Sequence, residues 1–129
     1  MQTTATLNKS IGQFDSAKQT PQHIIVQDSS VAGIQYHQGR RIWPRLSEGD
    51  ALRLKRENDN PNDHHAIAVF FRNYKIGYVP RRENKMLARF IDEKRSISAA
   101  ISRLSDTNSK EKIIDFRVEM EIQKDGLIC

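Results

Sequence analysis

Rings and cations alternate in two stretches of this sequence. Tyr36 and His37 precede Arg40 and Arg41, and Tyr78 precedes Arg81 and Arg82. A ring beside a cation suits a single polynucleotide strand. A base stacks on the ring for about 1–3 kcal/mol whatever its identity, and the cation meets phosphate. The two tyrosines also suit a second role, as rim residues of a β-barrel core whose hydroxyls reach water. Trp43 lies between Arg41 and Arg45 and is open to the same two readings, lining a strand-binding groove or capping a barrel end. Arg56, Arg81 and Arg82 are the candidate phosphate contacts.

Asn60 and Asp63 stand in the run NDNPND, a dense cluster of turn formers. Such residues shape turns through side-chain to backbone bonds. A carboxylate among cations would also repel a nearby phosphate unless it accepts a hydrogen bond from a hydroxyl, and both roles are compatible. His64 and His65 follow directly, but neighbours on a strand point to opposite faces and the spacing of a closed zinc site is absent, so no metal is expected. The sequence has no phosphate-binding Walker loop, no nucleophile elbow and no nuclease-like pair of acidic residues. No catalytic residue and no cofactor is therefore expected.

Charge supports a polyanionic partner. Of the formal net charge of +5, residues 40–95 carry 14 Lys/Arg against 8 Asp/Glu, and the remainder carries 7 against 8. The positive excess belongs to the middle of the domain rather than to a tail. With 129 residues, 37% hydrophobic and 29% charged, the chain suits one soluble domain with one modest core. No apolar run is long enough for a bilayer, and the N-terminus lacks a charged segment leading into an apolar one, so a cytoplasmic protein without a membrane partner is expected. Cys129 is the lone cysteine.

These candidate residues must be held by a scaffold. Residues 1–22 are polar and read as a flexible arm, 23–124 as the domain, and 125–129 as a tail. Ile24–Tyr36 reads as a strand kinked near Ser29 and Gly33, and Gln38–Asp50 as a loop punctuated by Gly39, Pro44 and Gly49. Ala51–Glu57 alternates like a half-buried strand. Ala66–Phe71 and Lys75–Val79 read as a hairpin ended by Pro80. Arg81–Lys94 places Met86, Leu87, Phe90 and Ile91 at helical spacing, with a basic outer face. Ile97–Leu104 and Ile113–Ile122 close the series, and Ile114, Phe116, Val118, Met120 and Ile122 give the clearest alternation in the chain. Six strands with one or two helices predict a mainly β fold, a small OB-like barrel.

Several motifs in fixed order resemble the HIRAN domain family. They are Val31-Ala-Gly-Ile-Gln-Tyr36-His-Gln-Gly39, Gly49-Asp50 leading into Leu52-Arg-Leu54, Arg56-Glu-Asn-Asp-Asn60-Pro61-Asn-Asp63 through Val69, and Ile76-Gly77-Tyr78-Val79-Pro80-Arg81. The resemblance spans roughly Ile24–Ile122. It implies an OB-like domain, found in helicase-like DNA-repair translocases and in small stand-alone bacterial proteins, that captures the 3′-hydroxyl end of single-stranded DNA. It places Tyr36 on the terminal base, Asp63 on the 3′-hydroxyl with Asn60 on the same turn, and Tyr78 near the phosphates, and Arg81 falls where the family has a basic residue. Gln35 stands where the family has a basic residue and His37 where it has an aromatic one. These departures bear on 3′-end preference more than on binding. An internal nucleotide carries a phosphate where a free end carries the hydroxyl, so one carboxylate can select the end by repulsion. The competing reading is a protein-interaction adaptor that recruits a nuclease or helicase through the basic helix face or the arm.

Overall fold

The computed structural model describes residues 22–107 and 111–122; the expected arm, apart from Gln22, and the expected tail lie outside them. Residues 25–120 form one unit. A second unit joins residues 1–24 and 121–129, of which the described part consists of the outer ends of two strands.

Six strands make one sheet: β1 Gln22–Ser30, β2 Ala51–Arg56, β3 Ile67–Phe71, β4 Tyr74–Tyr78, β5 Ile97–Asp106 and β6 Lys112–Ile122. Their order across the sheet is β1-β6-β5-β2-β3-β4. The β2/β3, β2/β5, β3/β4 and β5/β6 ladders are antiparallel. The mainly β class and the strand number match the expectation, but the sheet is not closed into a barrel by a strand ladder. Its edge strands are β1 and β4, and the link between the two sides is the isolated bridge of Ala32 to Tyr78.

Alternation explains the core. On β6, Ile114, Phe116 and Val118 are fully buried, in one core cluster with Ile67, Val69, Ile76, Ile101 and Leu87, and Met120 is nearly buried. Burying these side chains is worth about 1.5–3 kcal/mol each and fixes the register, because a one-residue slip would turn the whole row to solvent.

Two sequence expectations need correction. Residues 31–36 do not continue the first strand. Gly33 has φ 77°, a left-handed conformation that L side chains rarely adopt, and it turns the chain into a short 3-10 helix over Ile34–Tyr36. Arg81–Lys94 is not one helix but a 3-10 turn, Arg81–Glu83, followed by α1, Lys85–Asp92. The break falls at Asn84, whose side chain is buried and bonded outside the helix. Leu87 and Ala88 set the buried face of α1, which leaves Met86 exposed instead of in the core. Among the described residues no helix is long and apolar enough to cross a membrane.

Candidate nucleic-acid interface

Gly77 is where the two edges of the sheet meet. A Cβ there would lie 2.4 Å from the Ala32 carbonyl oxygen and 2.5 Å from Val31 Cγ1, so only glycine lets the backbones approach. Across this contact the Ala32 amide donates to the Tyr78 carbonyl at 2.7 Å, and the Tyr78 amide donates to the Ala32 carbonyl at 2.9 Å. The bridge carries Tyr36 and His37 to the side of Tyr78. The His37 ring meets the Tyr78 ring edge-on, with centroids 5.4 Å apart and planes at 66°. Tyr36, next to it, is 79% exposed, which is unusual for a large ring and leaves its face free to stack.

Tyr78 is braced from below. Its hydroxyl donates to Glu57 Oε1 at 2.8 Å and accepts from Lys75 Nζ at 2.7 Å. Lys75 Nζ also donates to Glu57 Oε2 at 2.8 Å and stands 4.5 Å from the centre of the Tyr78 ring. Asn60 Nδ2 donates to Glu57 Oε1 at 3.1 Å. Burial pulls the Glu57 carboxyl up, but the hydrogen bonds from Lys75, Tyr78 and Asn60 outweigh it and hold the group below its ordinary value. Lys75 is held above its ordinary value, because its bonds to Glu57 and Tyr78 outweigh desolvation. Burial, with the Lys75 charge, pushes His37 down, which favours the neutral imidazole.

Asp63 is aimed by amides. Its Oδ1 accepts from the His65 backbone at 2.9 Å, and its Oδ2 accepts from Asn84 Nδ2 at 2.8 Å. Desolvation acts to raise this carboxyl, but those two bonds and the nearby Arg81 and His65 charges lower it on balance, so it stays ionised at neutral pH. Asn84 is buried, and its Oδ1 has no partner among the described residues. A groove of about 310 Å³ is lined by Ala32, Asn60, Asp63, Tyr78 and Arg81 together with Asn62, Ala66 and Val79.

Four sequence candidates, Asn60, Asp63, Tyr78 and Arg81, thus line one groove, with His37 packed against Tyr78 and Tyr36 beside it. Arg82 is exposed on the 3-10 turn next to Arg81. Gln35 lines a different cleft with Ser30, Arg40 and Lys112. Trp43 is half-buried against the core with Lys112 Nζ 5.2 Å from its ring centre. Arg56 is engaged elsewhere. Its side chain, 12% exposed, forks onto both oxygens of Asp92 at 3.0 and 3.3 Å and donates to the Ala66 carbonyl, tying α1 to the end of β2 and to the residue before β3.

The site residues that sequence reasoning missed are Glu57, Lys75 and Asn84. Glu57 sat inside the Arg-Glu motif without a role. Lys75 and Tyr78, three apart on a strand, should face opposite ways. The β3/β4 register shifts by one residue between Val69 and Phe70, leaving Ile76 as an extra residue on β4, and this bulge turns Lys75 and Tyr78 to one side.

The model of the HIRAN domain family matches residues 24–123. Two solved structures are similar in fold. A protein from Lactobacillus plantarum shares 21% identity at a TM-score of 0.68, over 79% of this chain and 98% of that one. The HIRAN domain of human HLTF shares 18% at a TM-score of 0.62, over 80% of this chain and 82% of that one. No curated protein matches the chain by sequence.

Proposed function

The chain belongs to the HIRAN domain family, a family of DNA-binding modules, and on that basis we propose that it captures the free 3′-hydroxyl end of single-stranded DNA in repair or replication-fork processing. The observation that carries this reading is Asp63. It is a carboxylate kept ionised by amide donors, lining one groove with Tyr78 and Arg81. In the proposed complex a spare lone pair of Asp63 accepts the terminal hydroxyl. Tyr36, His37 and Tyr78 offer ring surface to the last bases, and Arg81 and Arg82 meet phosphates. Arg56, held by Asp92, takes no part in the proposed contact.

Fluorescence anisotropy tests the reading with a short strand ending in a 3′-hydroxyl, the same strand ending in a 3′-phosphate, and the matching duplex. The native chain prefers the free hydroxyl. Asp63→Ala removes one hydrogen bond to a charged acceptor, worth about 1.5–3 kcal/mol, so affinity for the free end falls about tenfold to a hundredfold. Affinity for the 3′-phosphate strand holds or rises as the repulsion goes. Equal losses on both strands would remove Asp63 from the terminus.

A further inference from the structure

A second cleft opens where β2 and β5 part. Those strands pair only at Ala51 with Ala100 and Leu52 with Ala99, although β2 runs on to Arg56 and β5 starts at Ile97. The gap they leave is a cleft of about 610 Å³, within the range of binding pockets. Its floor is aliphatic, with Leu54, Ile91 and Ile97 packed against the core but only partly covered. Its rim is cationic, formed by Arg53, Lys94 and Arg95. Among the described residues no carboxylate pairs with Arg53 or Lys94, and Arg95 lies 3.6 Å from Glu93 with its side chain 43% exposed. No acidic residue lines the cleft.

We infer that this cleft docks an acidic peptide segment of a partner protein, with Leu or Ile side chains on the floor and Asp or Glu against Arg53 and Lys94. Charge complementarity sets the sign of the occupant, and the floor sets its class. A nucleic-acid base needs an open ring face. No aromatic ring lines the cleft, and the rings nearest these cations already hold them on one face: the Arg53 guanidinium lies 4.5 Å from the centre of Phe70, and that of Arg95 lies 5.5 Å from the centre of Phe90. What remains open is branched aliphatic surface, which accepts a peptide side chain and gives a base nothing to stack on. The cleft also lies at the far end of α1 from the Asp63 groove. Ile91 and Lys94 border the cleft, whereas Asn84, before the first turn, holds Asp63. About 12 Å of helix separates them, so both occupants fit at once and the module joins a DNA end to a protein.

Selection of a random peptide library displayed on phage, against the full chain, tests the inference without assuming a sequence. Enriched peptides carry Asp or Glu around Leu or Ile. In amide NMR spectra they shift Leu54, Ile91 and Ile97 and leave Asp63 and Tyr78 in place. Arg53→Glu combined with Lys94→Glu weakens these peptides at least about tenfold, while the preference for a 3′-hydroxyl over a 3′-phosphate strand is kept even as the lost charge lowers affinity for both. The milder Arg53→Gln, Lys94→Gln pair, which keeps polar side chains at both positions, weakens them less. No enriched peptide, enrichment without acidic residues, or indifference to both variants overturns the inference. So does a thymidine strand of about ten nucleotides that shifts the cleft residues instead, which would make the cleft a nucleic-acid surface. Loss of the DNA-end preference leaves the peptide result intact, so failures of the two readings are told apart.

Discussion

Gly77→Ala tests the link between fold and site at one atom. The added Cβ would stand 2.4 Å from the Ala32 oxygen and 2.5 Å from Val31 Cγ1, and the first contact is backbone, which no rotamer change relieves. With φ at 153°, the position also disfavours any L side chain. The chain relieves the clash only by separating Ala32 from Tyr78, and that stretches both hydrogen bonds of the bridge. Two such bonds are worth about 1–3 kcal/mol, and forcing a methyl group into a packed contact costs about 1–3 kcal/mol. Because separation trades one cost for the other, the two do not add fully, and the expected loss is about 2–4 kcal/mol. For a domain of about 100 residues each kcal/mol moves Tm by about 4–8 °C, so thermal unfolding should show a fall of roughly 8–32 °C. Below the new midpoint the folded variant should still bind single strands, but with reduced preference for a 3′-hydroxyl, since Ala32 and Tyr78 line the groove. A Tm within about 3 °C of the native value would mean that the bridge does not hold the edges of the sheet, and the account of the site would fall with it.

The two arginines that looked equivalent in the sequence should separate. Arg56→Ala unties α1 and strips the Ala66 carbonyl of a donor, costing about 1–2 kcal/mol in urea unfolding after allowance for the exposed Asp92, with DNA affinity unchanged in the folded protein. Arg81→Ala should leave the urea midpoint in place and weaken DNA, with the salt slope reduced by about one phosphate contact; the opposite pattern would reverse their roles. Glu57 has a folded pKa below its ordinary 4.5, so the stability it contributes is fully present above that pH and is lost as pH falls through the folded value. Glu57→Gln should therefore lower the urea midpoint at neutral pH and flatten its decline into acid, and an unchanged acid slope would exclude Glu57 as the titrating group.

Much of this architecture is written in simple periods. The alternation of β6, the pairing of β3 with β4 and the turn cluster before Ala66 follow from side-chain period and turn chemistry, which are local properties. What the sequence hides arises where a tertiary contact overrides a period. Gly33 turns residues 34–36 out of the strand that Val31 begins. The bulge on β4 rephases Lys75 against Tyr78, so no two-residue count brings them together. Asn84 reads as one more polar position on an amphipathic helix until its amide is found on Asp63, 21 residues earlier in the chain. Arg56 shows the reverse case. Its charge suggested phosphate, but the protein supplies Asp92 as its anion, and charge counting cannot distinguish a cation already paired from one still open.

The two carboxylates of the site differ in the same way, and the difference bears on the proposed end selection. Glu57 lies against Lys75, so its charge is cancelled within the protein and its oxygens serve to fix Tyr78 and Asn60. Asp63 takes its hydrogen bonds from neutral amides, which orient a carboxylate and keep it ionised without cancelling its charge. A phosphate brought to the groove by Arg81 would therefore meet a full negative charge at Asp63, whereas a hydroxyl would meet an acceptor already in place. Selecting an end within a basic surface requires an anion that no cation of the protein holds by a hydrogen bond, and of the two carboxylates Asp63, with Arg81 near but not bonded to it, is the one arranged that way.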